Sequence, residues 1–240
     1  MVKNIAIDLG NSRIKAGVFE SASLIKSYTF SNPDELFHLV KQPHENLIVS
    51  SVKGDVDSIL NISVATNKKI ELKSNTPLPL KIQYATPLTL GVDRIADACG
   101  AIQLFPNQNN LIIDLGTCIN YEFIDSDNNY WGGAISPGVN MRFKSMNTFT
   151  VQLPLVEAIG YPELIGNSTI SCLQSGVMNG ILEEMKGIIS RLKSKYPELR
   201  VILTGGDYRF FENQLKDSIF AAPELVLVGL NRILIHNASI

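Results

Sequence analysis

Asn4-Ile5-Ala6-Ile7-Asp8-Leu9-Gly10 and Asn110-Leu111-Ile112-Ile113-Asp114-Leu115-Gly116 are two versions of one segment. Five of the seven positions are identical, and the other two exchange one apolar residue for another. Each version is an apolar run that closes on Asp-x-Gly and small polar residues, Asn11-Ser12 in the first and Thr117 in the second. A second strand-like run follows each, Ile14 to Phe19 and Ile119 to Ile124. An internal repeat exposes the unit from which a chain is built. Both copies read as a strand, a tight turn and a returning strand. The pair predicts two related α/β domains, each opening with this hairpin, over residues 1–109 and 110–240. The last helix is free to pack back on the first domain.

Outward from the repeat, Leu47 to Val52 reads as a buried strand and Ile70 to Leu72 as a weaker one. Pro77, Pro79 and Pro87 make the following segment extended or looped. Helical spacing appears at Ile95, Ala98, Cys99 and Ile102. The strongest helix is predicted over Thr169 to Lys195, with Ile170, Leu173, Val177, Ile181, Met185, Ile188 and Leu192 at steps of three or four. Val201 to Leu203 is a short strand ending in Thr204-Gly205-Gly206-Asp207. A final helix follows Pro223, with Val226, Leu230, Ile233 and Leu234 on one face.

The 240 residues are 45% hydrophobic, enough for a core and against disorder. Charged residues are 18%, below the usual level of roughly 25%, which leaves apolar surface for a subunit contact. The net charge of −2 does not favour a general nucleic-acid binder. The basic stretch from Lys186 to Arg200 is interleaved with Glu183, Glu184 and Glu198 and reads as a solvated helix face. No apolar run approaches the ~18 residues of a membrane span. Asp8 and Gly10 stand where a signal peptide needs an apolar core. Cys99, Cys118 and Cys172 are scattered, with no C-x-x-C pair, and His38, His44 and His236 fall in predicted loops or near the C-terminus. Neither a disulfide framework nor a zinc site is supported. The expectation is a soluble, cytoplasmic protein.

The duplicated turns are the first candidates for chemistry. Glycine lets backbone approach a ligand closely, and successive N–H groups in such turns form anion-binding concavities. Asn11, Ser12 and Thr117 add side-chain donors. Asp8 and Asp114 are hard oxygen ligands for a cation, directly or through water. Lys15 shares strand parity with Arg13, opposite Ile14, Ala16 and Val18, and can reach a phosphate. A single Asp-x-Gly more often merely closes a hairpin, whereas two in matching contexts point to a cleft that holds phosphates. The Walker pattern and the dinucleotide glycine fingerprint are absent. Tyr84-Ala-Thr-Pro87-Leu-Thr-Leu-Gly91-Val-Asp93-Arg94 enters an amphipathic helix whose N-terminus favours anions. Asp93 can take a proton from a substrate hydroxyl and Arg94 can hold an anionic substrate. The competing reading is an ordinary helix cap with a solvated salt bridge. Gly132 and Gly133 signal either close packing or a bulge and turn.

Taken together, these segments resemble type III pantothenate kinase, a bacterial family of the actin and sugar-kinase superfamily. Asp8-Leu-Gly10-Asn11-Ser12 is similar to its first phosphate motif, and Asp114-Leu-Gly116-Thr117 to its second. Tyr84 through Arg94 fits the pattern Y-x-x-P-x-x-L-G-x-D-R at every fixed position. Gly132-Gly133 through Pro137-Gly138 is similar to G-G-x-I-x-P-G, Thr169 through Gly176 to T-x-x-x-x-x-S-G, and Thr204-Gly205-Gly206-Asp207 to the adenosine motif. The matches keep family order and span residues 8 to 207. The stretch between 20 and 80 carries none.

The resemblance implies two duplicated ribonuclease H-like (actin-like ATPase) domains with a central cleft. It implies ATP-dependent phosphorylation of pantothenate to 4′-phosphopantothenate, the first step of coenzyme A biosynthesis. Carried over by position, Asp8, Leu9, Gly10, Asn11, Ser12, Arg13, Ile14 and Lys15 hold ATP phosphates, and Thr117 also contacts ATP. Asp93 is the proton acceptor. Tyr84, Gly91, Val92, Asp93, Arg94 and Thr169 bind pantothenate, with Val92 standing where Ala is common. Asp114 binds a monovalent cation, potassium or ammonium, and magnesium accompanies ATP. The family is homodimeric. A related phosphatase or sugar kinase would be expected to lack the Tyr84–Arg94 pattern, and a non-catalytic regulator to have lost Asp93 or one phosphate turn.

Overall fold

The computed structural model describes residues 2–10, 13–52, 56–158 and 160–239. It contains the strands β1 (Lys3–Leu9), β2 (Ile14–Glu20) and β3 (Ser23–Phe30), helix α1 (Pro33–Val40), strand β4 (Asn46–Ser51), helix α2 (Val56–Ile62) and strands β5 (Lys68–Glu71) and β6 (Lys81–Ile82). Helix α3 (Val92–Leu104), strands β7 (Asn110–Leu115), β8 (Cys118–Ile124) and β9 (Asn129–Pro137), and helices α4 (Val139–Phe149) and α5 (Thr169–Lys195) follow. Strand β10 (Arg200–Thr204), helix α6 (Glu212–Leu215), strand β11 (Phe220–Ala221) and helix α7 (Leu225–Ala238) complete the chain.

The repeat seen in the sequence is a repeat of topology. One sheet has the order β3-β2-β1-β4-β5, and the other runs β11-β10-β7-β8-β9-β6. In each, the strand that carries Asp-x-Gly lies between its own hairpin partner and a parallel strand, β4 for β1 and β10 for β7. The chain divides into two compact units, 1–108 with 124–132 and 224–240, and 109–123 with 133–223.

In the first unit, alternate residues of β1 face opposite ways, as the strand period requires. Ile5, Ile7 and Leu9 join Leu47 and Val49 of β4, Leu36 and Leu39 of α1 and Ile59 of α2 in one core. Asn4 faces the other way and donates to Asn231 of α7 at 2.9 Å, while Asn46 donates to Asn4 at 2.8 Å. These buried amides satisfy one another, which removes the cost of leaving buried polar groups unpaired. Helices α3 and α7 meet at small residues. A Cβ at Gly229 would overlap the Ala96 carbonyl, and one at Gly100 the Leu225 carbonyl and side chain.

In the second unit, Leu111, Ile113, Leu115, Ile119 and Tyr121 pack with Leu173, Val177, Ile181 and Met185 of α5. The predicted bounds of α5 coincide with the observed ones, but its buried face differs. Ile170 is 53% exposed, while Met178, Leu182 and Ile189 are buried. Helix α7 is covered more widely than one stripe, and Leu225, Leu227, Leu230, Ile233 and Leu234 are all fully buried. His38 lies in α1 rather than in a loop, and His236 lies near the C-terminus, in α7. No helix among the described residues is long and apolar enough to cross a membrane.

Candidate active site

The end of β1 positions Asp8. In register it stands between Lys15 of β2 and Ser50 of β4. Ser50, fully buried, donates its hydroxyl to Asp8 Oδ1 at 2.8 Å. The turn beyond β1 closes with the Gly10 N–H donating to the Arg13 carbonyl at 3.1 Å. Asn11 and Ser12 lie outside the described residues. Lys15 Nζ is 3.8 Å from Glu224 Oε2. Burial pushes the Asp8 carboxyl up to about 6, against the Ser50 hydrogen bond, and the charge of Asp93 pushes it the same way. Asp8 and Asp93 therefore share one electrostatic environment, although they are 85 positions apart in the chain. Ser50 carries no motif, and only the register of a parallel strand reveals it.

Asp93 comes from the first turn of α3, after a short 3-10 turn over Pro87–Thr89. It is not the N-cap. Gly91 occupies that place without a side-chain cap, and Asp93 Oδ1 accepts from the Arg94 N–H at 2.9 Å. A Cβ at Gly91 would stand 2.5 Å from Asp93 Oδ1, so the missing side chain makes room for the carboxylate. Arg94 is buried rather than solvated, and its guanidinium lies 5.5 Å from the Tyr84 ring centroid, a cation–π contact. Tyr84 in turn sits 6.2 Å from the Tyr130 ring. Gly132 has φ +91, and a Cβ there would be 2.8 Å from the Tyr84 ring. Close packing is thus the role of this glycine, and likewise of Gly133, whose Cβ would overlap the Tyr121 carbonyl. Val92 opens the helix, half-buried.

The second unit repeats the turn. Asp114 stands in register with Thr204 of β10, as Asp8 does with Ser50. The Gly116 N–H donates to the Cys118 carbonyl at 3.0 Å, leaving Thr117 exposed at the tip. Gly205, with φ +92, has no room for a Cβ beside Asp114 Oδ1 and the Leu115 backbone. Thr169 opens α5, behind a capping box of Ser168 and Ser171. It borders an apolar recess of about 360 Å³ with Met146, Leu153, Cys172, Leu173 and Gly176.

No group of three or more His, Cys, Asp or Glu able to hold a metal occurs among the described residues. The donor chemistry does fit a magnesium ion carried by a nucleotide. Such an ion needs only one or two carboxylates besides the phosphates, and Asp8, whose charge is poorly solvated, is relieved by a cation.

The family model described as Type III pantothenate kinase matches residues 4–191. A relative of that description from Cytophaga hutchinsonii is 45% identical over 235 residues, covering 98% of this chain and 99% of its own. Another from Phocaeicola vulgatus is 44% identical over 238 residues, covering 98% of each. Among solved structures, a conserved Baf family protein from Campylobacter jejuni superposes with TM-score 0.64 at 23% identity, covering 98% of this chain and 100% of that one. The activator of 2-hydroxyisocaproyl-CoA dehydratase from Clostridium difficile, with bound ADPNP, gives TM-score 0.54 at 13% identity, covering 99% and 96%. At these identities the likeness carries the fold, two ribonuclease H-like domains of the actin-like ATPase type.

Proposed function

The chain belongs to the type III pantothenate kinase family, whose reaction is the ATP-dependent phosphorylation of pantothenate in coenzyme A biosynthesis, and we propose that Asp93 is its proton acceptor. The observation that carries this reading is the company of Asp93 in the first unit. Its carboxylate is given room by Gly91 and shares an electrostatic environment with Asp8, and the adjacent Arg94 is packed on Tyr84.

Phosphoryl transfer needs charge compensation and in-line placement more than covalent help. Asp93 orients the primary hydroxyl of pantothenate and takes its proton. Tyr84, Gly91, Val92, Arg94 and Thr169 hold the rest of that substrate, Arg94 by pairing with its carboxylate. The turn from Asp8 to Lys15 takes the ATP phosphates, and Thr117 contacts ATP. When bound, magnesium and a monovalent ion offset phosphate charge. Asp8 is the residue for the first and Asp114 for the second. The two copies begin at residues 1 and 110.

We further read the protein as a cytoplasmic homodimer. Large apolar side chains of the second unit support this, Phe149 at 86% exposure and Ile165 at 86%, with Val151 and Leu164 also bare. Large exposed apolar side chains on two short stretches, 149–151 and 164–165, are candidates for a subunit contact. The enzymatic test is a coupled ADP assay with pantothenate, in potassium and in sodium buffers. Turnover that needs pantothenate and is higher in potassium supports both assignments. ADP release independent of pantothenate would contradict the kinase reading, and full turnover in sodium alone would give Asp114 another role.

A further inference from the structure

A second polar network is built in the second unit. Arg142 of α4 donates from Nη2 to Glu184 Oε2 of α5 at 2.5 Å and to Ser136 Oγ at 2.9 Å. Its Nε donates to the Pro137 carbonyl at 2.8 Å. Tyr121 donates its hydroxyl to Glu184 Oε1 at 2.7 Å, and Ser136 donates to Glu184 Oε2 at 3.2 Å. The paired side chains keep only 21% and 27% of their exposure. Burial pushes the Glu184 carboxyl up, but the bonds from Arg142 and Tyr121 outweigh it and hold it below the ordinary carboxylate range. Exposed ion pairs contribute little; this one is largely removed from water, and both partners are held by further hydrogen bonds, Arg142 to Ser136 and Pro137 and Glu184 from Tyr121 and Ser136.

What the network fixes is the corner from Ser136 to Gly138. Gly138 donates its N–H to the Thr117 carbonyl at 3.1 Å. A Cβ on Gly138 would overlap the carbonyls of both Gly116 and Thr117. The corner therefore rests on the turn that carries Thr117, and Gly205 packs against the same turn at Asp114 and Leu115. A turn gripped by backbone at both places has little slack, so a displaced corner displaces Thr117.

We propose that Arg142, held by Glu184, is a positioning residue for ATP: it sets the Ser136–Gly138 corner and, through it, the place of Thr117. The proposal rests on the reading of Thr117 as an ATP contact and extends it to two residues that do not touch the nucleotide.

The test is steady-state kinetics with each substrate varied, well below the melting temperature, on Arg142→Met, Arg142→Lys, Glu184→Gln, Thr117→Ala and the Arg142→Met/Thr117→Ala pair. Misplacing a binding group costs steeply, so Arg142→Met should raise KM for ATP about tenfold while KM for pantothenate holds. Arg142→Lys keeps the charge but not the planar fork and should recover only part. The double variant should be no worse than Thr117→Ala. A merely structural role predicts a smaller active fraction with both KM values unchanged. Unchanged KM for ATP in Arg142→Met, an equal rise in both KM values, or additive effects in the pair would overturn the proposal. If Arg142→Met does not fold, Glu184→Gln carries the same comparison. A normal KM for ATP in Thr117→Ala overturns instead the reading of Thr117, and this proposal with it.

Discussion

Asp8→Asn should make the protein more stable and less active, and the stability gain should depend on pH in one direction. The Asp8 carboxyl is raised from 3.8 to about 6, chiefly by burial. The native state thus binds this proton more tightly than the unfolded chain does. Below about pH 4 both states are protonated and the site contributes no penalty. Between there and pH 6 the native state holds more protons, so stability falls as pH rises. Above 6 the penalty is complete. About two pH units, at about 1.4 kcal/mol each, make it about 3 kcal/mol.

Asparagine has nearly the same shape, keeps an oxygen to accept the Ser50 hydroxyl, and carries no charge to desolvate. The gain in the variant should be a few tenths of a kcal/mol at pH 4 and about 2–3 kcal/mol at pH 8. For a chain of this size that is roughly 6 °C or more in Tm. The assay is thermal unfolding of parent and variant in parallel across pH 4 to 8. Added Mg-ATP should narrow the difference at pH 8, because a bound cation offsets the charge that the parent alone carries. A variant no more stable than the parent at pH 8, or one stabilised equally at pH 4 and 8, would refute the reasoning. The trade is the usual one for a residue kept for chemistry at the expense of stability.

Other expectations are more direct. Asp93→Asn should lower kcat by ~10²–10⁴-fold, the ordinary worth of a general base, with Tm nearly unchanged; a stable, fully active variant would leave positioning alone to explain turnover. Gly132→Ala forces a side chain into φ +91 and against the Tyr84 ring. It should cost about 1–3 kcal/mol of stability and raise KM for pantothenate more than KM for ATP. Parallel KM changes would mean that Tyr84 does not touch pantothenate. Light scattering should give twice the chain mass, and a value near 26.4 kDa at working concentration would rule the homodimer out.

What could be read without coordinates follows from periodicity and local chemistry. The Asp-x-Gly hairpins, the helix from Thr169 to Lys195 and the strand into Thr204-Gly205 are local patterns, and short-range sterics and hydrophobic spacing decide them. Between residues 20 and 80 the strands at Leu47 to Val52 and Ile70 to Leu72 are legible as apolar runs, whereas β3, α1 and α2 are not, the two helices being only eight and seven residues long, too short for their period to stand out. Chain order and residue type also marked Asp8, Asp93 and Arg94 as candidates.

Tertiary structure alone decided which groups share an environment. Ser50 reaches Asp8 only because β4 lies parallel to β1 in one register, and a shift of one residue would turn its hydroxyl to the opposite face. Glu184 read as one acid in a solvated basic stretch, yet the packing of α5 against α4 and β8 turns it inward to Arg142 and Tyr121. Asn4, Asn46 and Asn231, unremarked in the sequence, form a buried chain of hydrogen bonds across three elements. Local sequence sets what an element is and which way its side chains alternate. The raised pKa of Asp8 and the grip on Thr117 depend instead on contacts between segments far apart in the chain, and only folding brings those segments together.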